Sequence, residues 1–465
     1  MTPDRPYFFC GIGGSGMLPL ALILRARGHA VSGSDRALDQ GRLAEKFAFL
    51  RNANIALFPQ DGSGVTDPNL IVVASAAVEN TVPDIAAARA IDAKQMVRAE
   101  LLAELFNASA NSIGVAGTSG KSTATGMIGW ILYDLGLDPT VMNGAVMKNF
   151  ATPDAPFASA LVGKSNIFVS EVDESDGSIA RYTPHIAVVN NIAFDHKTMD
   201  ELRVLFAGFV SKAKIAVLNL DNAETAALVA KPRLANVVTY SLRNASADFL
   251  TSNVVPAPDG ISFDVRAKNE TVPVHLKVPG RHNVSNALAA LAAVCAFGVP
   301  LVQAADALSR FAGIKRRLDV VGTANGVTVI DDFAHNPDKI AATLATLHDF
   351  PGRLLLMFQP QGFVPLRLMK DQFIACFAQS MRNDDVLTMP EPVYFGGTTD
   401  RSVSSGDIIE GITNAGRSAF AFTDRSQCRA KLLELAKRGD RIVVMGARDD
   451  TLSQFAAELL AALAK

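Results

Sequence analysis

Cysteine is scarce. Cys10, Cys295, Cys376 and Cys428 are the four in 465 residues, and none stands in Cys-x-x-Cys spacing. That excludes a disulfide framework and a thiolate metal site, and it fits a reducing compartment. Charge of one sign is also lacking. With 44 Lys and Arg against 46 Asp and Glu, the net charge of −2 offers no field for nucleic acid or an anionic membrane. The longest apolar tract, residues 287–302, is Ala-rich and broken by Gly298 and Pro300, short of the ~18 apolar residues of a membrane span. The opening residues, Met-Thr-Pro-Asp-Arg-Pro and then a glycine-broken apolar run, do not read as a signal peptide. The expected location is the cytoplasm, without nucleic-acid or membrane partners. Low-complexity linkers and short-period repeats are missing too. What is present is a chain 49% apolar and 19% charged, enough for sizeable cores and about three domains at roughly 150 residues each.

The most specific signal lies at residues 113–123, Ile-Gly-Val-Ala-Gly-Thr-Ser-Gly-Lys-Ser-Thr, followed by a helical pattern over 124–135. An apolar strand, a small-residue turn and a helix start make a phosphate cradle: backbone N–H groups turn inward and the helix end adds partial positive charge. Gly117, Thr118, Ser119, Gly120, Lys121, Ser122 and Thr123 form the expected ATP site. Lys121 reaches the β- and γ-phosphates, and the Ser122 hydroxyl ligates Mg²⁺. The longer pattern G-x-x-x-x-G-K-[ST] requires glycine at position 115, where this chain has Val115, so the loop is the shorter G-T-x-G-K-S form. Downstream, strands at 167–170 and 186–190 end in the polar clusters 171–176 and 191–196. Glu171 is a natural oxygen ligand for Mg²⁺ and His196 a less usual one. The acidic run reads equally as a solvated loop, and His196 as a structural histidine.

Two further segments flank this one. The first opens with strand 7–10 and the turn Gly11-Ile12-Gly13-Gly14-Ser15-Gly16, with Asp35 about 20 positions on: a dinucleotide-type fingerprint. A strand over 70–74 ends at Ser75, where open α/β sheets bind ligands. The third segment starts near the doublet Arg316-Arg317, suited to clamping a phosphoryl group or a carboxylate, or else simply exposed. After strand 327–330 comes Asp331-Asp332-Phe333-Ala334-His335-Asn336-Pro337, which fits an amine or nucleotide site, or a capped turn with Pro337 opening a helix. Strands alternate with helices in all three segments, so the expected class is α/β with mainly parallel sheets.

These motifs in this order resemble the Mur ligases over essentially the whole chain. The further stretches that carry the likeness are Met17, Ser32–Asp35, 98–105, 280–286 and Gly439-Asp440. The resemblance implies a Rossmann-like UDP-sugar domain at 1–107, a P-loop ATPase domain at 108–314 and a Rossmann-like domain for nucleotide and acceptor at 315–465. It implies an ATP-dependent amide-forming ligase of peptidoglycan synthesis, joining L-alanine to the lactyl carboxylate of UDP-N-acetylmuramate through an acyl phosphate. By position, Lys121, Glu171, His196, Arg317 and His335 become the catalytic set, with Ser122, Glu171 and His196 serving the metal. His282, Asn283, Asn286, Arg316 and Arg317 become nucleotide contacts. Gly11, Gly13, Gly14, Ser15, Gly16, Met17, Asp35 and Ser75 become the UDP-sugar side. The partners are that UDP-sugar and an amino acid or peptide, in a monomer or a homodimer.

The third segment departs from the alanine-adding pattern. Where that group carries Phe-Gln-Pro-His-Arg, this chain has Phe358-Gln359-Pro360-Gln361-Gly362, and Arg367 is only a displaced substitute. Asp331–His335 looks more like the ligase that returns murein tripeptide to the same UDP-sugar. A peptide acceptor, a polyglutamyl ligase of folate type and a catalytically idle nucleotide-sugar binder are therefore the alternatives.

Overall fold

A computed structural model describes the whole chain except residues 1–4, 77, 195–196, 231–235, 258–259, 393–399, 448 and 450. Three sheets carry it. Two lie in a unit made of residues 1–255 and 260–314; the third lies in a unit made of 256–259 and 315–465.

The first sheet has the spatial order Ala56–Phe58, Val31–Ser34, Tyr7–Cys10, Ile71–Ala74, Lys94–Val97, all parallel. This is the order of a dinucleotide-type sheet, whose ligands sit beyond the strand C-termini. The strand Tyr7–Cys10 is buried throughout because helices cover both faces, which is why it reads as an unbroken apolar run.

The second sheet has ten strands. Its middle runs Val237–Ser241, Ile215–Asn219, Ile186–Val189, Asn111–Ala116, Ile167–Glu171, Thr140–Met142, paired in parallel. Three further strands follow, Phe249–Ala257, Gly260–Ala267 and Glu270–Leu276, the last two antiparallel. Glu270–Leu276 is the outer edge, and Pro273 within it removes a backbone donor, as an unpaired edge tolerates. The Ala-rich tract is the helix Arg281–Ala296, buried along most of its length against the helix Lys121–Asp134. Among the described residues, no helix is long and apolar enough to cross a membrane.

The first two sheets share one apolar core. It joins Phe9 of the first sheet and Leu20 and Phe106 of its helices to Phe168 of the second sheet and to Tyr182 and Phe206 packed on it. Phe106 meets Phe168 and Tyr182 edge-on at centroid distances of 5.9 and 5.2 Å, a favoured aromatic geometry.

The third sheet has the order Asp319–Ala324, Val327–Asp332, Arg441–Met445, Leu354–Phe358, Val386–Pro390, Ser418–Phe422, parallel except for the first pair. Asn336 caps the helix Pro337–Leu347, its side chain accepting from Lys339 N, and Pro337 takes the first helical position.

Candidate active site

Strand Asn111–Ala116 delivers the phosphate loop, and the helix Lys121–Asp134 begins three residues earlier than its apolar pattern suggests. Val115 lies inside the strand, paired with Val188 on one side and Glu171 on the other, and is fully buried. Glycine has no task there, and the compact loop starts at Gly117. The turn closes at Gly120, whose φ of 80° is open to glycine. A Cβ at Gly120 would also stand 2.3 Å from Asn286 Oδ1 and 2.8 Å from Asn190 Nδ2.

Lys121 Nζ donates to Gly117 O at 2.7 Å and to both Glu174 oxygens, at 3.2 and 2.9 Å. The two side chains are only 15% and 5% exposed. Burial disfavours the ammonium, but Glu174, Glu171 and Asp173 outweigh it, so the Lys121 pKa rises and the group stays charged. Beside it, Ser122 Oγ donates to Glu171 Oε2 at 3.0 Å, and Gly144 N donates to the same oxygen at 3.0 Å. Ser122 and Glu171 thus form a pair of hard oxygen donors at the helix start. That suits Mg²⁺, which keeps most of its water and takes one or two protein ligands beside phosphate. Among the described residues no group of three or more His, Cys, Asp or Glu gathers as an all-protein metal cage. His196, the third expected metal residue, lies outside the described residues.

Two asparagines escape the sequence reading. Asn191 Oδ1 accepts from Thr118 Oγ1 at 2.8 Å and from Ser119 N at 2.9 Å, while its Nδ2 donates to Ser119 O at 3.2 Å. Asn190 Nδ2 donates to Asn286 Oδ1 at 3.3 Å, and Asn286 Nδ2 to Asn283 Oδ1 at 3.1 Å. Asn283 in turn donates to Pro279 O at 2.7 Å. Expected as nucleotide contacts, Asn283 and Asn286 are buried and buttress the loop from behind. His282 is exposed on the first turn of the helix Arg281–Ala296.

The glycine turn of the first sheet is pinned to the next strand: Gly11 N and Ile12 N both donate to Ser34 O at 2.9 Å. Asp35, expected to meet the ligand, instead accepts from Gly13 N at 2.9 Å and Ala37 N at 2.8 Å, capping a short helix and bracing the turn. Its two oxygens therefore serve the backbone. Gly14, Ser15 and Gly16 lie at the surface, Met17 packs into the core, and Ser75 follows the strand Ile71–Ala74. Lys46, unnoticed in the sequence, is buried and donates to Gly13 O at 3.3 Å.

In the third sheet's unit the arginine doublet divides. Arg316, with φ of 60°, donates through Nε to Asp331 at 3.4 Å, through Nη1 to Asp449 O at 3.0 Å and through Nη2 to Gly446 O at 2.7 Å. It is buried and ties strand ends together, which corrects the expected clamp of two arginines. Asp331, desolvated, has a raised pKa in spite of Arg316. Arg317 lies over the Phe333 ring at 4.5 Å, and His335 meets the same ring edge-on at 5.4 Å. His335 Nδ1 donates to Phe333 O at 2.8 Å. Phe333 is thus the pedestal on which the two expected catalytic residues meet. Gln359 is buried and structural: its Nε2 donates to Pro360 O and Glu391 O, and Arg425 Nε donates to its Oε1 at 2.7 Å. Arg367, exposed, pairs with Asp400 at 3.6 Å.

Three family models match the chain: the Mur ligase family catalytic domain over residues 6–110, the Mur ligase middle domain over 115–294 and the Mur ligase glutamate ligase domain over 316–448. The UDP-N-acetylmuramate–L-alanine ligase of Agrobacterium fabrum is 35% identical over 97% of this chain and 95% of its own length. The chain belongs to the Mur ligase family. The Jannaschia enzyme of the same name is also 35% identical, over 98% of this Mur ligase and 94% of its own chain. Among solved structures, the UDP-N-acetylmuramate-alanine ligase of Thermotoga maritima aligns with a TM-score of 0.80, covering 99% of both chains at 23% identity, a likeness of fold. A murein peptide ligase of Psychrobacter arcticus aligns at 0.71 with 26% identity, again over 99% of both. The Mur ligase fold of three α/β domains on mainly parallel sheets accounts for the architecture expected from the sequence.

Proposed function

We propose that this Mur ligase joins L-alanine to the lactyl carboxylate of UDP-N-acetylmuramate at the expense of ATP. The observation that carries the proposal is the phosphate loop, with Lys121 and Ser122 set against Glu174 and Glu171, in a chain alike over its full length to alanine-adding ligases. A lactyl carboxylate oxygen attacks the γ-phosphorus and ADP departs. The amine nitrogen then attacks the acyl carbon, phosphate leaves with the C–O electron pair, and the amine proton passes to a base. Lys121 neutralises charge on the oxygens in transfer, and the N–H groups at the start of its helix hold the phosphates without reorganising. Ser122 and Glu171 are the residues that would hold Mg²⁺, which shields phosphate charge when bound. Arg317 and His335, carried on Phe333, are assigned to the acyl phosphate and the incoming amine. ATP chemistry and a UDP-linked substrate fit a cytoplasmic location.

The test is phosphate release from MgATP with UDP-N-acetylmuramate and a panel of acceptors: L-alanine, L-serine, glycine and L-Ala-γ-D-Glu-meso-diaminopimelate. Turnover fastest with L-alanine is expected. Turnover with the tripeptide alone would move the chain to peptide recycling, and binding of the UDP-sugar without turnover on any acceptor would refute ligation. Lys121→Ala abolishes turnover and leaves UDP-sugar affinity within about twofold.

A further inference from the structure

Arg98 opens the helix Arg98–Asn107, at the end of the edge strand Lys94–Val97. Its side chain lies across Gly16, the N-cap of the helix Met17–Ala26, so closely that a Cβ at Gly16 would stand 3.0 Å from Cδ and 3.1 Å from Nη1. The last glycine of the turn therefore makes room for a guanidinium. Among the described residues, the one ion-pair partner of Arg98 is Asp176, at 3.7 Å, too far for a hydrogen bond. Asp176 itself accepts from Ser178 N at 2.8 Å. The Arg98 side chain is 22% exposed, its guanidinium lies against Gly16, and its charge also acts on Asp173 in the same acidic run.

We infer that Arg98 binds the diphosphate of the UDP-sugar. This rests on the reading of the glycine turn as the UDP side of a ligase. A diphosphate seated at a glycine-rich turn lies at the following helix N-terminus, here Gly16 and Met17. The Arg98 fork stands over that point, and a guanidinium matches two phosphate oxygens at once. Asp176 belongs to the acidic loop that also supplies Glu171 and Glu174. Arg98 thereby reaches from the UDP side toward the loop that faces Lys121.

The experiment measures binding of UDP and of UDP-N-acetylmuramate to the full chain by calorimetry, for wild type, Arg98→Ala, Arg98→Lys and Asp176→Asn, with ADP as the control ligand. Arg98→Ala is expected to weaken both uridine ligands about tenfold or more, the equivalent of about 1.4 kcal/mol. Arg98→Lys recovers part of the loss, as a point charge without the fork. Asp176→Asn leaves both affinities within about twofold or tightens them, because the guanidinium is then drawn less toward the acidic loop. ADP binding is unchanged throughout. If Asp176→Asn weakened the uridine ligands as much as Arg98→Ala, Arg98 would be a structural tie and the inference would fall. A loss confined to UDP-N-acetylmuramate and absent with UDP would also overturn it, since the contact would then lie beyond the diphosphate. Wild-type affinity in Arg98→Ala would overturn it while leaving the ligase reading intact. Failure of the wild type to bind either uridine ligand would overturn both.

Discussion

The Lys121–Glu174 pair sets a quantitative expectation for nucleotide affinity. The ammonium is held by both oxygens of one carboxylate, at 2.9 and 3.2 Å, in a setting nearly closed to water. A triphosphate needs the same ammonium, so Glu174 must yield or share it. Glu174→Gln keeps the shape and one acceptor oxygen but removes the charge. Hydrogen bonds to charged groups contribute about 1.5–3 kcal/mol; the ion pair lies toward the top of that range and the ammonium-to-amide bond that replaces it toward the bottom, so the exchange costs the empty protein roughly 1–1.5 kcal/mol. That is free energy the nucleotide no longer has to overcome. Binding of MgATP should therefore tighten by about tenfold. Titration of wild type and variant with MgATP by calorimetry reads the affinity, and thermal melting with and without nucleotide reads the other half of the cycle. The empty variant melts lower than the empty wild type, and saturating MgATP raises its melting temperature by the larger increment. Weaker MgATP binding in Glu174→Gln would refute the reasoning and make Glu174 a group that works on the bound nucleotide.

Asn191→Ala removes three hydrogen bonds that shape Thr118 and Ser119. It is expected to raise KM for ATP by about tenfold, at roughly 0.5 kcal/mol net per bond, with UDP-sugar affinity unchanged; an unchanged KM would contradict a loop-shaping role. In the third sheet's unit, Asp385 is fully buried and accepts from Leu354 N, Arg382 N and His348 Nε2. Although burial acts to raise its pKa, these bonds outweigh it and hold the carboxyl below its usual range. A depressed pKa stabilises the fold at pH above the unfolded value of about 3.9 and loses that contribution as pH falls through the folded value. The gap between the denaturation curves of wild type and Asp385→Asn should therefore be full at pH 6, start to narrow only below about pH 3.9, and shrink further as pH falls through the lower folded value; a gap that stays constant with pH would contradict the assignment.

Much of the fold was legible because parallel strands covered on both faces are short unbroken apolar runs, as at Leu354–Phe358 and Ile186–Val189. The strands Ala56–Phe58 and Lys94–Val97 were not legible. Both lie at sheet edges, Ala56–Phe58 half-buried and Lys94–Val97 largely open to solvent, so they lack that signature. The phosphate loop announced itself through residue types that the chemistry requires in sequence. Its supports did not. Glu174 is one of four acids between 171 and 176, and only tertiary packing selects it for Lys121. Arg316 looked like half of a clamp because its partners lie 15 and about 130 residues away, at Asp331, Gly446 and Asp449. Asp35 stood at the spacing of a ligand contact, yet that spacing serves equally to brace the glycine turn.

The apolar joint between the first two sheets has a consequence for how substrate is measured. Phe106, Phe168 and Tyr182 interlock in one continuous core, and Arg27 covers the Phe168 ring at 5.6 Å. Dense interiors resist shear, so the glycine turn and the phosphate loop are held on a common frame. The span between them is a property of the framework, like the gap of a fixed gauge. On the proposed reading of the two loops, a UDP-linked acid would be selected by reach: with its diphosphate at the glycine turn, only a carboxylate at the right distance would arrive at the γ-phosphate. Cutting the chain near residue 108 would destroy that gauge and leave both halves with an aromatic face open to water.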